Sequence, residues 1–340
     1  MASIISDTED IKPIIRRGNG GANKGKKYSR ASIDNDAGSK IGEMFLIMLK
    51  GLSIPEYSCP RSNHVYSVWQ KLAILVIMSL RDIPFNSLTD ILGMYGGFIR
   101  SIGLKHIPCG STMCKFMSRI DRSVLDKAIC SFNLAIRLSP TVIVDTTCLS
   151  NFQRSAHYEK RCDDFGKPLP YRTFTKLSLA IDRDTRLAVS AVSSNKYAAD
   201  ISLMGKHLDD MVESEVEPGL IVADKGYDCD GLHREIRNRL GCDAVIPVRK
   251  DWGNRGYTTH GVYRNKMLEL EKDEERWRSL YNQRVIIEST NFMIKNLTGS
   301  SIAERKDDHR EKHALLKVLA FNFRRILDLH LEGKLMRCFQ

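Results

Sequence analysis

Two short runs of nearly uninterrupted apolar residues, each ending in an aspartate, constrain this chain more than any other feature: Thr141-Val-Ile-Val-Asp145 and Gly219-Leu-Ile-Val-Ala-Asp224. Runs of this length without polar alternation suit strands buried on both faces, which need helices to cover them. The surrounding sequence supplies both strands and helices. Lys176–Asp182 and Leu187–Val192 read as two further strands joined by a polar hairpin loop, Arg183-Asp-Thr-Arg186. Asp200–Met211 reads as a helix with Ile201, Met204 and Leu208 on one side, and Gly231–Leu240 as another with Leu232, Ile236 and Leu240 aligned. Asp243-Ala-Val-Ile-Pro-Val248 is the last expected strand, and an amphipathic helix through Ala314–Asp328 closes the chain. Strands interleaved with helices in this order predict a mixed α/β fold.

At 340 residues the chain has room for one large or two ordinary domains with an ample core. Its formal net charge of +11 favours a polyanionic partner, nucleic acid ahead of an anionic membrane surface. The longest apolar run, Leu72 to Leu80, is too short to span a bilayer, so no membrane role is expected. Nine cysteines, odd in number and without a C-x-x-C pair, argue against a zinc ribbon and against a disulfide framework. Asp7, Glu9 and Asp10 lie in an N-terminal segment with no apolar signal core, and the expected setting is reducing and cytoplasmic.

Three textures follow one another. Residues 1–40, with Gly18-Asn-Gly-Gly21 followed by Lys24, Lys26, Lys27 and Arg30, read as a disordered basic tail. Residues 41–138 read as a helical DNA-binding region. Gly42–Lys50 and Val68–Leu80 are expected helices, and Ser87 is expected to cap a third, with Asp90 in its first turn and a break at Gly96-Gly97. Ser111 is the expected N-cap of a helix that turns Thr112, Lys115 and Arg119 outward and Phe116 and Ile120 inward. A short helix, a turn and a capped basic helix fit a helix-turn-helix with Lys115 and Arg119 on DNA; a plain helical bundle fits the same pattern. Residues 139–340 form the α/β domain and its C-terminal helix.

Tyr281–Lys295 contains neither Gly nor Pro and reads as one helix. At about 100° per residue, Tyr281, Arg284, Glu288 and Lys295 share a sector roughly 60° wide. Val285, Ile286, Phe292 and Met293 are the expected packing flanks. Alone, an Arg–Glu pair at i, i+4 is an ordinary solvated ion pair. The two aspartates change that weighing. Asp145 and Asp224 are placed at the C-terminal ends of buried strands, where open α/β sheets hold ligands. With Glu288 they make an all-oxygen donor set of the kind hard divalent cations prefer. Two such ions about 4 Å apart activate a water or hydroxyl and stabilise a leaving 3′ oxygen in phosphodiester chemistry.

Thr141-Val-Ile-Val-Asp145-Thr-Thr, Val222-Ala-Asp224-Lys-Gly-Tyr-Asp228 and Tyr281-x2-Arg284-x3-Glu288-x6-Lys295 together resemble the prokaryotic insertion-sequence transposases of the DDE type. The Y-x2-R-x3-E-x6-K spacing of that superfamily is met at every position. His157, Tyr158, Arg161, Tyr171 and Lys176 resemble the link that follows its first aspartate. The resemblance runs from about Trp69 to the end of the chain. It implies a ribonuclease H-like mixed-sheet catalytic domain after an all-helical region. It implies two Mg2+ or Mn2+ ions held by Asp145, Asp224 and Glu288, the same three residues being catalytic. The implied partners are transposon-end inverted-repeat DNA and target DNA, bound by a homodimer that pairs two ends. Tyr281, Arg284 and Lys295 would contact end phosphates, since Arg and Lys one to two turns from the glutamate can hold a phosphate without competing for metal. Lys225, beside Asp224, is a further candidate DNA contact.

The interval 225–287 is too short for the long β-rich insertion that some members of this superfamily carry. Its basic loop Arg249-Lys-Asp-Trp252-Gly-Asn-Arg-Gly offers a Trp either to a displaced base or to packing. His157 and His207 are expected in structural roles. Two rival functions stand beside the transposase: a ribonuclease H-like nuclease without strand transfer, which has no need of the Tyr/Arg/Lys stripe, and a non-catalytic DNA-binding derivative. The second expects the loss of a carboxylate, and all three are present.

Overall fold

The computed structural model describes residues 63–151, 174–195, 197–249, 261–304 and 306–332, with scattered positions between 42 and 61 and between 160 and 166. The basic tail, His157, Tyr158, Tyr171 and Trp252 lie outside the described residues. The chain divides into two units, Met1–Arg119 with Ile326–Gln340, and Ile120–Arg325.

The first unit is helical. Helix α1, Val68–Arg81, buries residues on nearly every side, as a central helix must. It opens on a capping box: Ser67 Oγ accepts from the Gln70 amide and Gln70 Oε1 accepts from the Ser67 amide. Gln70 Nε2 also donates to the carbonyls of Ile102 and Gly103, at 2.9 and 3.0 Å. Ser87 stands at the N-cap of α2, Leu88–Gly93, but its side chain makes no capping bond. Gly96 and Gly97 do not break the chain; they open α3, Gly96–Ser101, whose Phe98 is buried with Ile102 just beyond it. Helix α4, Gly110–Arg119, starts one residue before Ser111, and the Cys109 carbonyl accepts from the Thr112 and Met113 amides. A Cβ at Gly110 would collide with the Phe85 carbonyl oxygen, so only glycine permits this approach. Met113, Phe116 and Met117 face inward, while Lys115 and Arg119 are exposed.

The second unit begins with α5, Arg122–Cys130, capped by Asp121. A five-stranded sheet follows, built from β1 (Thr141–Ser150), β2 (Phe174–Asp182), β3 (Ala188–Asn195), β4 (Leu220–Ala223) and β5 (Asp243–Val245). Its order is β3-β2-β1-β4-β5. The β1–β2 and β2–β3 pairs are antiparallel, and the β1–β4 and β4–β5 pairs are parallel. Helices α6 (Asp200–Glu213) and α7 (Asp230–Leu240) supply the crossovers on the parallel side. This is the ribonuclease H-like arrangement, a mixed sheet with helices, and it follows a helical N-terminal region as expected. The last strand is shorter than expected because it stops ahead of Ile246-Pro247, where proline has no amide to give the ladder.

Val142 and Val144 of β1 pack into one core cluster with Met204, Leu208 and Met211 of α6 and Leu232 and Ile236 of α7. Side chains alternate across a strand, so Ile143, Asp145 and Thr147 face the opposite side of the sheet. Three helices complete this part of the chain: α8 (Val262–Lys272), α9 (Glu274–Tyr281) and α10 (Val285–Thr298). The long C-terminal helix α11, Asp307–Leu331, clamps β3 through Asn322, which accepts from the Ala188 amide at 2.9 Å and donates to its carbonyl at 2.8 Å. Among the described residues no single helix is long and apolar enough to cross a membrane.

Candidate active site

Asp145 is not at a strand end. The apolar run stops there, but β1 continues to Ser150 because its pairing with β2 persists as far as Ser150↔Phe174. Only the β4 side of β1 ends, at the parallel pair Val144↔Ala223. Asp145 and Asp224 are therefore the next residues on two adjacent parallel strands, one step beyond their last paired position. This is where strand order reverses in the sheet, the usual crevice of an open α/β fold. Asp224 then caps a single 3-10 turn, Lys225–Tyr227, its Oδ1 accepting from the Lys225 amide at 2.7 Å.

The stretch expected as one helix is two. Helix α9 ends at Tyr281, a 3-10 turn spans Asn282–Arg284, and α10 starts at Val285. The turn packs against both β1 and β4. It carries Arg284 to the carboxylates: Nη2 donates to Glu288 Oε1 at 2.6 Å, and Nη1 lies 3.7 Å from Asp145 Oδ2. Asp145 is 18% exposed at its side chain and Glu288 54%. The packing face of α10 is Ile287, Thr290, Asn291, Ile294 and Thr298. Val285 and Phe292, expected as packing flanks, are instead exposed, while Ile286 and Met293 are half-buried. The reason is rotational: the extra 3-10 turn places Glu288 on the open side, and residues at i−3 and i+4 go with it.

The far end of α10 is fixed as well. Lys317 Nζ is buried and donates to the carbonyls of Thr298 and Gly299, the place where a helix end favours a cation. The Ser150 amide donates to Ser300, and the Ile302 amide donates to Ser150, so the end of β1 and the end of α10 are tied. Between these anchors, Lys295 Nζ donates to Thr147 Oγ1 at 2.6 Å, on the same face of β1 as Asp145.

Electrostatics show the carboxylates acting on one another. Burial pushes Asp145 up to about 6; the charges of Asp224 and Glu288 add to that rise, while Arg284 and the Thr146 amide oppose it. Burial raises Tyr281, Arg284 lowers it, and Asp224 and Asp145 raise it again, which sets its phenol among the same groups. Its ring stacks on Trp277 with centroids 5.1 Å apart. Burial alone would lower Arg284, but Tyr281, Asp145, Asp224 and Glu288 outweigh it and hold the guanidinium above its ordinary value. Asp145, Asp224, Glu288, Arg284 and Tyr281 thus share one site with Lys295 at its edge. Lys225 is exposed beside it, and Lys115 and Arg119 belong to the other unit.

Among the described residues, no three His, Cys, Asp or Glu side chains are gathered closely enough to hold a metal ion as they stand. The donor chemistry nevertheless fits a hard divalent cation: three carboxylates, no nitrogen or sulfur, and one of them pushed toward protonation by burial and by the other two. The positive charge now among them is the guanidinium of Arg284.

Sequence reading missed a polar group beneath the sheet. His207 is fully buried between Ser190 and Ser178, a structural placement as expected, and Ser178 leads on to Tyr227. The available signal was the pair of serines inside otherwise apolar strands, Leu177-Ser-Leu and Val189-Ser-Ala, since a buried hydroxyl needs a partner.

A ribonuclease H-like sheet with two aspartates one step beyond the last β1–β4 pair, and a glutamate joined to one of them through Arg284, defines the class: a mixed-sheet fold with three acidic side chains at one site. The chain belongs to the transposase DDE domain family, which it matches over residues 137–323. It is also similar to the piggyBac transposase in its synaptic complex with hairpin DNA, at a TM-score of 0.43 and 10% identity, covering 91% of this chain and 78% of that one.

Proposed function

We propose that this protein is a DNA transposase of the prokaryotic insertion-sequence type, with Asp145, Asp224 and Glu288 as its catalytic carboxylates. The observation that carries the proposal is the placement of Asp145 and Asp224 one step beyond Val144↔Ala223, with Glu288 brought to them through Arg284. The three carboxylates would hold Mg2+ or Mn2+, two ions in the full site, which supply activation of the attacking oxygen and stabilisation of the leaving one. The chain's own residues bind and orient the DNA. Tyr281, Arg284 and Lys295 surround the carboxylates and engage phosphates flanking the scissile bond, with Lys225 alongside. Exposed Lys115 and Arg119 give α4 a basic face for the transposon end.

In the first step a water oxygen attacks the phosphorus, the P–O3′ bond breaks, and a 3′ hydroxyl and a 5′ phosphate are left. In the second, that 3′ oxygen attacks a target phosphate, whose own P–O3′ bond breaks and whose strand leaves with a 3′ hydroxyl. One phosphodiester replaces another, so joining needs no external energy source. Pairing two ends calls for a homodimer in the synaptic complex, acting in the cytoplasm on the nucleoid.

Arg284 has a double part in this reading. On Glu288 and Asp145 it neutralises the site at rest; when a DNA phosphate arrives, the guanidinium moves to it and leaves the carboxylates to the cation. The test is cleavage of DNA carrying the terminal inverted repeats of the element that encodes the chain. Cutting is expected only with Mg2+ or Mn2+ and is expected to stop on chelation. An Asp224→Asn or Glu288→Gln protein that cuts at the parental rate would overturn the assignment. Cutting without joining to target DNA would favour the plain nuclease instead.

A further inference from the structure

We propose that Tyr227 and Thr146 are positioning residues for Asp224 and Asp145, locked together by a buried hydrogen-bonded chain whose protons are all oriented by the Asp210 carboxylate. The proposal rests on the carboxylate-site reading above.

The chain runs beneath the sheet, on the face away from Asp145. Asp210 Oδ2 accepts from Ser190 Oγ at 2.6 Å, and its other oxygen accepts from Lys206 Nζ at 2.5 Å. Ser190 Oγ lies 2.8 Å from His207 Nδ1, and His207 Nε2 lies 2.9 Å from Ser178 Oγ. Ser178 Oγ is 3.3 Å from the Tyr227 hydroxyl, which is 2.8 Å from Thr146 Oγ1. Ser178, Ser190, His207, Asp210 and Tyr227 are all buried.

Proton counting fixes every direction. The Ser190 hydroxyl gives its one proton to Asp210, so it can only accept from His207, whose proton must sit on Nδ1. Burial drives His207 down to about 3, so the ring is neutral and Nε2 is a bare acceptor. Ser178 therefore donates to Nε2 and accepts from Tyr227. Tyr227, having given its proton, accepts from Thr146. Each donor has one acceptor, and the hydroxyls of Ser190, Ser178 and Tyr227 each both give and take.

The last two members of this chain are what give it a function. Thr146 follows Asp145 on β1, and Tyr227 closes the turn that Asp224 caps. The 2.8 Å bond between them fastens the two carboxylate-bearing segments to each other just past the point where β1–β4 pairing ends. No backbone ladder holds the strands together beyond Val144↔Ala223, and this side-chain bond takes its place. The rest of the chain prevents the Tyr227 hydroxyl from turning elsewhere.

Two measurements test the idea. The first is ¹⁵N NMR of the histidine rings in the intact protein: His207 should show a protonated Nδ1 and an unprotonated Nε2, unchanged through the neutral pH range. A protonated Nε2 overturns the proposed orientation whatever the protein's activity. The second compares Tyr227→Phe, Thr146→Val and Thr146→Ser. The first two remove a hydroxyl but keep the shape. They should melt as cooperative folded proteins and bind end DNA like the parent, yet need on the order of tenfold more Mn2+ for half-saturation, read by EPR, and for cleavage. Thr146→Ser keeps the hydroxyl and should restore parental Mn2+ binding. Parental Mn2+ dependence in both Tyr227→Phe and Thr146→Val overturns the proposal. A parent protein that binds no Mn2+ and cuts no end DNA would instead fail the transposase reading and leave the NMR result standing.

Discussion

The guanidinium of Arg284 donates to the carboxylate of Glu288 across 2.6 Å, one helical turn along the chain. Glu288 is more exposed than buried, so the bond itself adds little to stability, under about 1 kcal/mol. Its weight is electrostatic and local. In Arg284→Ala the melting temperature should stay close to the parent's, Mn2+ binding to the DNA-free protein should tighten several-fold, and end cleavage should fall by a factor of ten or more. Weaker or unchanged Mn2+ binding by the free variant, counted by EPR, would reject the resting role of Arg284.

Asp145 supplies a pH test. Its folded pKa, about 6, lies above the ordinary aspartate value near 3.9. A raised carboxyl favours the folded state fully below the unfolded value, and that contribution is lost as pH rises through about 6. Asp145→Asn removes the ionisation, so it should stabilise the protein by about 1–2 kcal/mol at pH 7 and above. The advantage should vanish in denaturant titrations below about pH 4. A variant no more stable than the parent at neutral pH, or equally favoured at acid pH, contradicts the burial of that charge.

Behind the site, Asp228 and Arg264 form a buried ion pair at 2.7 Å, and the same Asp228 oxygen accepts from the Arg249 amide at 2.8 Å. Arg264→Met leaves the aspartate buried without its cation and should cost about 3–5 kcal/mol. Adding Asp228→Asn should recover a large part of that loss, because the pair's desolvation disappears with it. Chemical denaturation of Arg264→Met, Asp228→Asn and the double variant reads the coupling; strict additivity of the two single losses would refute it.

Asn322 is a third structural test. It satisfies both the amide and the carbonyl of Ala188 from α11, and all these groups are buried. Asn322→Leu strands two backbone groups and should destabilise by about 2–4 kcal/mol. A loss under about 0.5 kcal/mol would mean the edge of β3 finds other partners.

Much of this was legible in the sequence because buried strands leave an apolar signature and their carboxylates break it. Thr141–Asp145 and Gly219–Asp224 announced both aspartates, and the spacing of Arg284 and Glu288 announced their contact. What stayed hidden depends on partners rather than on local residues. The polar half of β1, Thr146 to Ser150, is a strand only because β2 pairs with it. The 3-10 turn at Asn282–Arg284 contains no glycine or proline to mark it, and packing against β1 and β4 sets it. Because that turn rotates α10, the exposure of Val285 and Phe292 was equally invisible. Gly96-Gly97 misled in the other direction: buried Phe98 and Ile102 draw a glycine pair into a helix.

The sheet order also dictates when the site comes into being. The antiparallel β1-β2-β3 meander joins near neighbours in sequence, a pairing with low loop-closure cost, so it forms readily. Asp145 meets Asp224 only once β4 has crossed to the other side of β1, and Glu288 arrives later still. A nascent chain still short of residue 288 holds a sheet but lacks the full carboxylate set, so the order of synthesis delays the assembled site until the helix that carries Glu288 has been made.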